Sequence, residues 1–222
     1  MKLNHIQVSD SLEGIARIGV VLLKNLTNGP STPSLRERVD GMASELRHSI
    51  GSRTLSEIES VQLTRKLYHS LGIDPTKDRP GSERLLRRIV QGRGLSTVNQ
   101  LVDVTNLVSL STQFPMSVYD WDKISPPVLV RVGRPKESLI ATGDYQFRAA
   151  GRLVLVDGES LFGNPSHDAE RTRVDDGTVR AMVLVWMPAD TSNQRIETVL
   201  QDTIAATQEF CDAQVAQSGI LF

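Results

Sequence analysis

Three groups of side chains in this 222-residue chain can do chemistry. The first lies in LVDVTNLVSLSTQFPMSVYDWD, Leu101 to Asp122, where Asp103, Thr105 and Asn106 stand on an apolar background ahead of a turn at Pro115 that carries Ser117, Tyr119 and Asp120. An amide and two hydroxyls are directional donors and acceptors, and they discriminate best when the wrong ligand leaves them unpaired. Asn106 either contacts a ligand or closes an internal hydrogen bond. Asp103, a carboxylate on an otherwise apolar helix, must be paired if buried and is expected to tie that helix to a neighbouring loop. The second group is the loop His167, Asp168, Glu170, Arg171 and Thr172, whose carboxylates suit an ammonium and whose guanidinium suits a phosphate in bidentate geometry. Charges on a loop are otherwise solvated. The third is the run from Arg79 to Arg93, in which Arg84, Arg87 and Arg88 form a local positive face that either meets phosphates or is balanced in solvent by Asp78 and Glu83.

Other chemistries are poorly supported. His5, His48, His69 and His167 are scattered without HExxH spacing or cysteine partners, so no metal site is expected. Gly92-Arg93-Gly94 lacks the residues of a phosphate loop or a dinucleotide fingerprint, and there is no GxSxG elbow, so no cofactor is expected either. Cys211 is the only cysteine; a buried, inert thiol is its natural reading, and a lone thiol fits the cytoplasm. A net charge of −1 gives no global pull toward nucleic acid, which argues against duplex DNA and leaves only local RNA contacts. Hydrophobic content of 39% and charged content of 23% are ordinary for a soluble protein, and no apolar run is long enough for a membrane span.

The elements that must position these groups follow from periodicity. Ala16 to Asn25 reads as a core strand, closed by Thr27, Asn28, Gly29 and Pro30. A helix from Ser34, with Ser34 as N-cap and Glu37 as its capping-box partner, buries Leu35, Val39, Met42, Leu46 and Ile50. A second spans Leu55 to Leu71 and stops at Gly72, and a third begins at Ser82 with Leu85, Leu86, Ile89 and Val90 inward. Thr97 to Gln113 is the helix of the polar motif. Val128 to Val132, Ser138 to Thr142, Arg152 to Asp157 and Val179 to Met187 read as strands, and Gln194 to Gln217 as a terminal helix. Early helices and late strands give an α+β class in one domain over residues 1–222, with the motif-bearing core at about 80–190.

The motif resembles the B3/B4 editing module of the bacterial phenylalanyl-tRNA synthetase beta subunit, in which a VDxTN helix runs into a QPxHxFD turn. The matching residues are Val102, Asp103, Thr105 and Asn106, then Gln113, Phe114, Pro115, Tyr119 and Asp120, and the likeness extends to about Pro188 through VLVRVG, RLVLVDG and GNPSHDAERTRV. The run GIDPTKDRPGSERLLRRIVQG is similar to free-standing proteins built on this domain. Two positions depart from the pattern: Ser117 stands where the family has a histidine, and Gly163 is followed by Asn164 rather than by a second glycine.

The resemblance implies a B3/B4-like layered sheet with helices on one side, and a pocket between the Asn106 helix, the Ser117 turn and the Asp168 loop. It implies hydrolysis of a mischarged aminoacyl-tRNA, or a non-catalytic module that holds an amino acid or the tRNA 3′ end. In that reading Asn106 holds the ester or ribose, Thr105 and Ser117 the side chain or the water, Asp168 and Glu170 the amino group and Arg171 a phosphate of the terminal nucleotide, with Thr172 a further substrate-binding residue and Arg84, Arg87 and Arg88 on the RNA backbone. Discrimination of tyrosine from phenylalanine does not carry over, because the side-chain set differs.

Overall fold

The computed structural model describes residues 2–222. In chain order the elements are β1 Ile6–Val8, β2 Ala16–Lys24, α1 Pro33–Ile50, α2 Glu59–Ser70, α3 Gly81–Val90 and α4 Gln100–Thr112. They continue with β3 Met116–Asp120, β4 Val128–Val132, β5 Ser138–Ala141, β6 Tyr145–Arg148, β7 Leu153–Val156, β8 Leu161–Gly163, β9 Ala181–Pro188, α5 Asn193–Cys211 and β10 Gln214–Leu221. This is the α+β class that the sequence predicts.

One sheet runs β10-β2-β9-β3, antiparallel throughout. A second runs β1-β4-β7-β8 and is mixed, since β1 joins β4 in parallel, while β5 and β6 form a separate hairpin. Both cores run through β2 and β9. Their residues Ile18, Val20, Leu22, Met182, Leu184 and Trp186 pack against the second sheet, and Val21, Leu23, Val183, Val185 and Met187 pack under helices α1, α4 and α5. A strand covered on both faces carries a continuous apolar run instead of an alternation, which is how ARIGVVLLK and AMVLVWMP read. Helices α1, α4 and α5 therefore lie on one side of the antiparallel sheet and the mixed sheet on the other, where Leu67 and Tyr68 of α2 join its core.

Several boundaries differ from the sequence reading, each for a local reason. Thr32, not Ser34, caps α1: its hydroxyl accepts from Leu35 N at 3.3 Å, with Pro33 at the first helical position. The segment from Leu55 divides into a 3₁₀ turn, Leu55–Glu57, and α2, because the Thr54–Glu57 capping box closes on the turn and Ile58 is extended. Ser82 is buried inside the first turn of α3, whose N-cap is Pro80. The terminal helix ends at Cys211, where Asp212 takes a left-handed φ of 49° and turns the chain into β10. Strands β1, β6, β8 and β10 have no counterpart in the sequence reading.

β3 corrects it most usefully. Residues 116–120 are a strand rather than part of the Pro115 turn, and alternation sends Ser117 and Tyr119 to one face while Met116 and Val118 pack toward the helices. Among the described residues no helix is long and apolar enough to cross a membrane. Burial pushes the Cys211 thiol up to about 12, so it stays protonated and unreactive.

Candidate functional site

α4 is fastened at both ends. At its start Asn99 Oδ1 accepts from Val102 N at 3.0 Å, and the buried Asp103 carboxylate accepts from the Ser31 hydroxyl and from Val98 N at 3.1 Å. Asp103 thus ties the helix to two loops, as a carboxylate on an apolar helix must. At its end Gln113 adopts a left-handed φ of 63°, Ser109 Oγ donates to Phe114 O at 2.8 Å, and Thr64 Oγ1 donates to Gln113 O at 2.8 Å. These bonds fix the turn that delivers Ser117. α3 is set by Glu83, whose buried carboxylate accepts two bonds from Arg65, at 2.8 and 2.7 Å, and one from Arg79 at 3.0 Å. Glu83 is therefore an internal anchor and not a solvated counter-charge.

Between α3, α4, the start of β3 and the loop after β8 opens a cleft of about 210 Å³. Its lining brings together Arg84, Arg88, Thr105, Asn106, Ser117 and Asp168. The Thr105 hydroxyl donates to Val102 O at 2.8 Å, and the Ser117 hydroxyl donates to Asn164 O at 3.2 Å while accepting from Trp186 Nε1 at 3.1 Å. Both protons are committed, so these hydroxyls can offer a ligand only lone pairs. Asn106 differs: among the described residues its side chain has no hydrogen-bond partner, so its amide is available to the cleft. Two guanidinium groups at the rim, Arg84 and Arg88, bond only backbone carbonyls, Ser166 O at 2.5 Å and Gly94 O at 3.1 Å, and pair with no carboxylate among the described residues.

Asn164, absent from the sequence-based candidates, belongs to the same lining. It is 2% exposed; its Oδ1 accepts from Ser166 N at 2.6 Å and His167 N at 2.9 Å, and its Nδ2 has no partner. The Asn-Pro-Ser spacing signals such an Asx-turn, but the unpartnered donor can be seen only in three dimensions.

Asp168 is the carboxylate of the cleft. Its Oδ1 accepts from the Tyr119 hydroxyl, and its Oδ2 has no partner among the described residues. Burial pushes its carboxyl up to about 6, against the smaller pull of that hydrogen bond and of the Arg84 charge. Burial, the neighbouring Asp168 charge and their hydrogen bond hold the Tyr119 hydroxyl well above the ordinary phenol range, so it remains a donor. The contact depends on Gly163, since a Cβ there would lie 2.0 Å from Tyr119 Oη and 2.7 Å from Cζ.

Gly163→Ala is accordingly expected to push Tyr119 off Asp168 and lower stability by about 1–3 kcal/mol in urea unfolding. In a Tyr119→Phe background part of the clash is gone, and the same change should cost less. Equal costs in the two backgrounds would mean that the hydroxyl is not what Gly163 accommodates.

The remaining predicted residues lie outside the cleft lining. Arg171 is taken: it forms a bidentate pair with Asp157, at 3.1 and 2.7 Å, and also reaches Ser160 O and Lys123 O, so it is not free for a phosphate. Thr172 is fully buried and donates to Ala169 O at 3.4 Å. Glu170 pairs with Arg173 at 3.0 Å on the surface. Arg87 is exposed on α3, beyond the cleft. The expectation that the whole 167–172 loop faces a ligand is corrected in this respect: Asp168 lines the cleft, and the following turn is structural.

A second cavity, of about 120 Å³, adjoins the first across Asn106. Its walls include Leu35, Val39 and Asp40 of α1, the Leu95–Thr97 loop and Asp103. Among the described residues no group of three or more His, Cys, Asp or Glu side chains could hold a metal ion.

The chain is similar to phenylalanine–tRNA ligase beta subunits. It is 31% identical to that of Bartonella henselae over 104 residues, 46% of this chain and 13% of the relative. The corresponding figures are 30% over 125 residues, 54% and 15%, for Mycolicibacterium paratuberculosis, and 28% over 113 residues, 48% and 14%, for Brucella abortus. It therefore spans about one-seventh of the length of these curated relatives. Among solved structures, an N-terminal fragment of the phenylalanyl-tRNA synthetase beta subunit from Pyrococcus horikoshii aligns over 95% of this chain and 49% of its own, at 13% identity and a TM-score of 0.46. The model of the B3/4 domain matches residues 63–206, from α2 to α5, with the entire cleft lining inside it. A match over well more than half of the chain establishes that this protein belongs to the B3/4 domain family.

Proposed function

We propose that this protein is an ester hydrolase that acts in trans on mischarged aminoacyl-tRNA. The observation that carries the reading is the juxtaposition, in one cleft, of the free Asn106 amide and a carboxylate, Asp168, that titrates near 6. An aminoacyl ester is already activated, so its hydrolysis needs a positioned water, a proton acceptor and donors for the developing oxyanion. Asp168 Oδ2 takes the proton as water attacks the ester carbonyl carbon. The Asn106 amide donates to the oxyanion. Collapse of the tetrahedral intermediate expels the ribose oxygen, which recovers the proton from Asp168, leaving a free amino acid and an uncharged 3′ end. The names of the relatives support tRNA as the carrier. A cleft of about 210 Å³ falls below the ~300–1,000 Å³ typical of drug-sized ligands, so it suits the aminoacyl group alone, with the terminal nucleotides outside against Arg84 and Arg88.

The test is deacylation of a panel of tRNAs carrying labelled wrong amino acids. At least one should be cleaved well above buffer, and Asn106→Ala should lower that rate roughly a hundredfold, as loss of one oxyanion donor does. A folded protein that cleaves none of them rules the enzyme out.

A second reading rests on a specific observation. The Ser117 hydroxyl occupies the family's histidine position and is consumed by Asn164 O and Trp186, so the cleft holds no activated nucleophile. A binding module for an amino acid or tRNA 3′ end would need none. Calorimetry showing a ligand that binds and survives intact would favour it.

A further inference from the structure

The loop that closes the cleft also carries an aromatic column. His167 packs against both Tyr145, with centroids 5.1 Å apart and planes 26° apart, and Phe147, at 4.9 Å and 29°. Arg152 covers Phe147 with its guanidinium 5.5 Å from the ring centre. Tyr145 and Phe147 lie two residues apart on β6, hence on one face of the hairpin, and the imidazole stacks against both. Phe147 is buried, but Tyr145 is 55% exposed, so the column ends in an open ring. The hairpin tip is tied to the cleft loop by Thr142 N donating to Asp168 O at 2.9 Å and by an Ala141–Ala169 bridge. Burial, then the Arg84 charge, hold the His167 imidazole below its ordinary range, so the ring is neutral at pH 7.

We infer that the exposed face of Tyr145 is the stacking platform for an unpaired base at the 3′ end of the RNA whose ester occupies the neighbouring cleft. The inference rests on the hydrolase or module reading above and adds where the nucleic acid is held. Every base has a π face, and single-stranded ends are bound by aromatic platforms combined with cationic groups that follow the backbone. Here the platform abuts the loop against which Arg84 lies, bonded to Ser166 O, and neither Arg84 nor Arg88 is neutralised by a carboxylate among the described residues. Asp144, in the hairpin turn beside Tyr145, is the one nearby carboxylate in the 142–148 segment, which directs phosphates to the arginine side. Tyrosine is amphipathic and loses little freedom on binding, which suits an exposed anchor.

The test uses a short RNA helix with four unpaired 3′ nucleotides and 2-aminopurine as the last base, whose fluorescence falls on stacking. The wild-type chain should quench it. Tyr145→Ala and Tyr145→Leu, the latter keeping an apolar group on His167, should restore the fluorescence and weaken binding about five- to a hundredfold, whereas Tyr145→Trp should preserve both. A blunt helix and the 2-aminopurine nucleotide alone should bind weakly, since each offers only one half of the contact. Tyr145-dependent quenching without deacylation would uphold the platform and leave hydrolysis to fail separately. Absence of quenching by wild type, or quenching unchanged in folded Tyr145→Ala and Tyr145→Leu, would overturn it.

Discussion

Replacing Asp168 by asparagine is expected to stabilise the fold at pH 7 and, under the proposed function, to remove most of the hydrolytic rate. The carboxyl titrates near 6 in the folded chain, against about 3.9 when unfolded, so the native state holds that proton more tightly. Its contribution to stability is fully present below about pH 4 and is lost as pH rises through 6. At pH 7 the ionised, mostly buried carboxylate therefore costs folding roughly 2 kcal/mol, allowing for its partial access to the cleft. An amide of the same shape carries no such cost and still accepts from Tyr119. Urea unfolding should find Asp168→Asn more stable than wild type at pH 7.5 and level with it near pH 4. Deacylation should fall by about 10²–10⁴-fold, the usual worth of a positioned base, and the wild-type rate should climb on its acid side through about pH 6. A variant no more stable than wild type at pH 7.5 would contradict the burial argument; one that keeps its rate would remove Asp168 from the chemistry.

Asp157→Ala should give the largest loss of stability, about 3–5 kcal/mol. The Asp157 side chain is fully buried, with one oxygen accepting from Glu159 N, Ser160 N and Arg171, and the other from Ser125 N and Arg171. Burial alone would raise its carboxyl, but the Arg171 pair and the three backbone donors outweigh that and hold it below the usual carboxylate range. Its sign is thus opposite to that of Asp168: this stability is present above the unfolded value near 4 and is lost as pH falls through the lower folded one. Truncation leaves three N–H groups and a half-buried guanidinium without their acceptor. Adding Arg171→Ala to Asp157→Ala should cost less than Arg171→Ala alone, and strict additivity would show that the pair is not coupled.

How much of this was legible depended on the range of the interactions involved. β2 and β9 can be read because continuous apolar runs mark strands covered on both sides, β4 because it is rich in β-branched residues, and α4 because polar residues recur on an apolar helix. β3 was missed because Ser117 and Asp120 break its apolar signal; they are polar for partners found elsewhere, Asn164 and Trp186 for one and Thr178 for the other. Arg171 and Glu83 were misread for the same reason. A charged residue on a loop or helix face reads as solvated or ligand-binding, and only the fold brings Asp157 against the first and Arg65 against the second. The motif points to the family, and with the arginine run and the Asp168 loop it supplies six residues of the cleft lining, but not which of their protons are already spent.

The smaller cavity beside Asn106 has one wall from α1, which precedes the segment matched to the family. A helix outside the family match and a helix inside it therefore meet at one amide. Substitutions at Leu35 or Val39 can reshape the space beside Asn106 while leaving Asp168 and Asn164 untouched, so under the proposed function the fit of a ligand can change without any change in the groups assigned to hydrolysis.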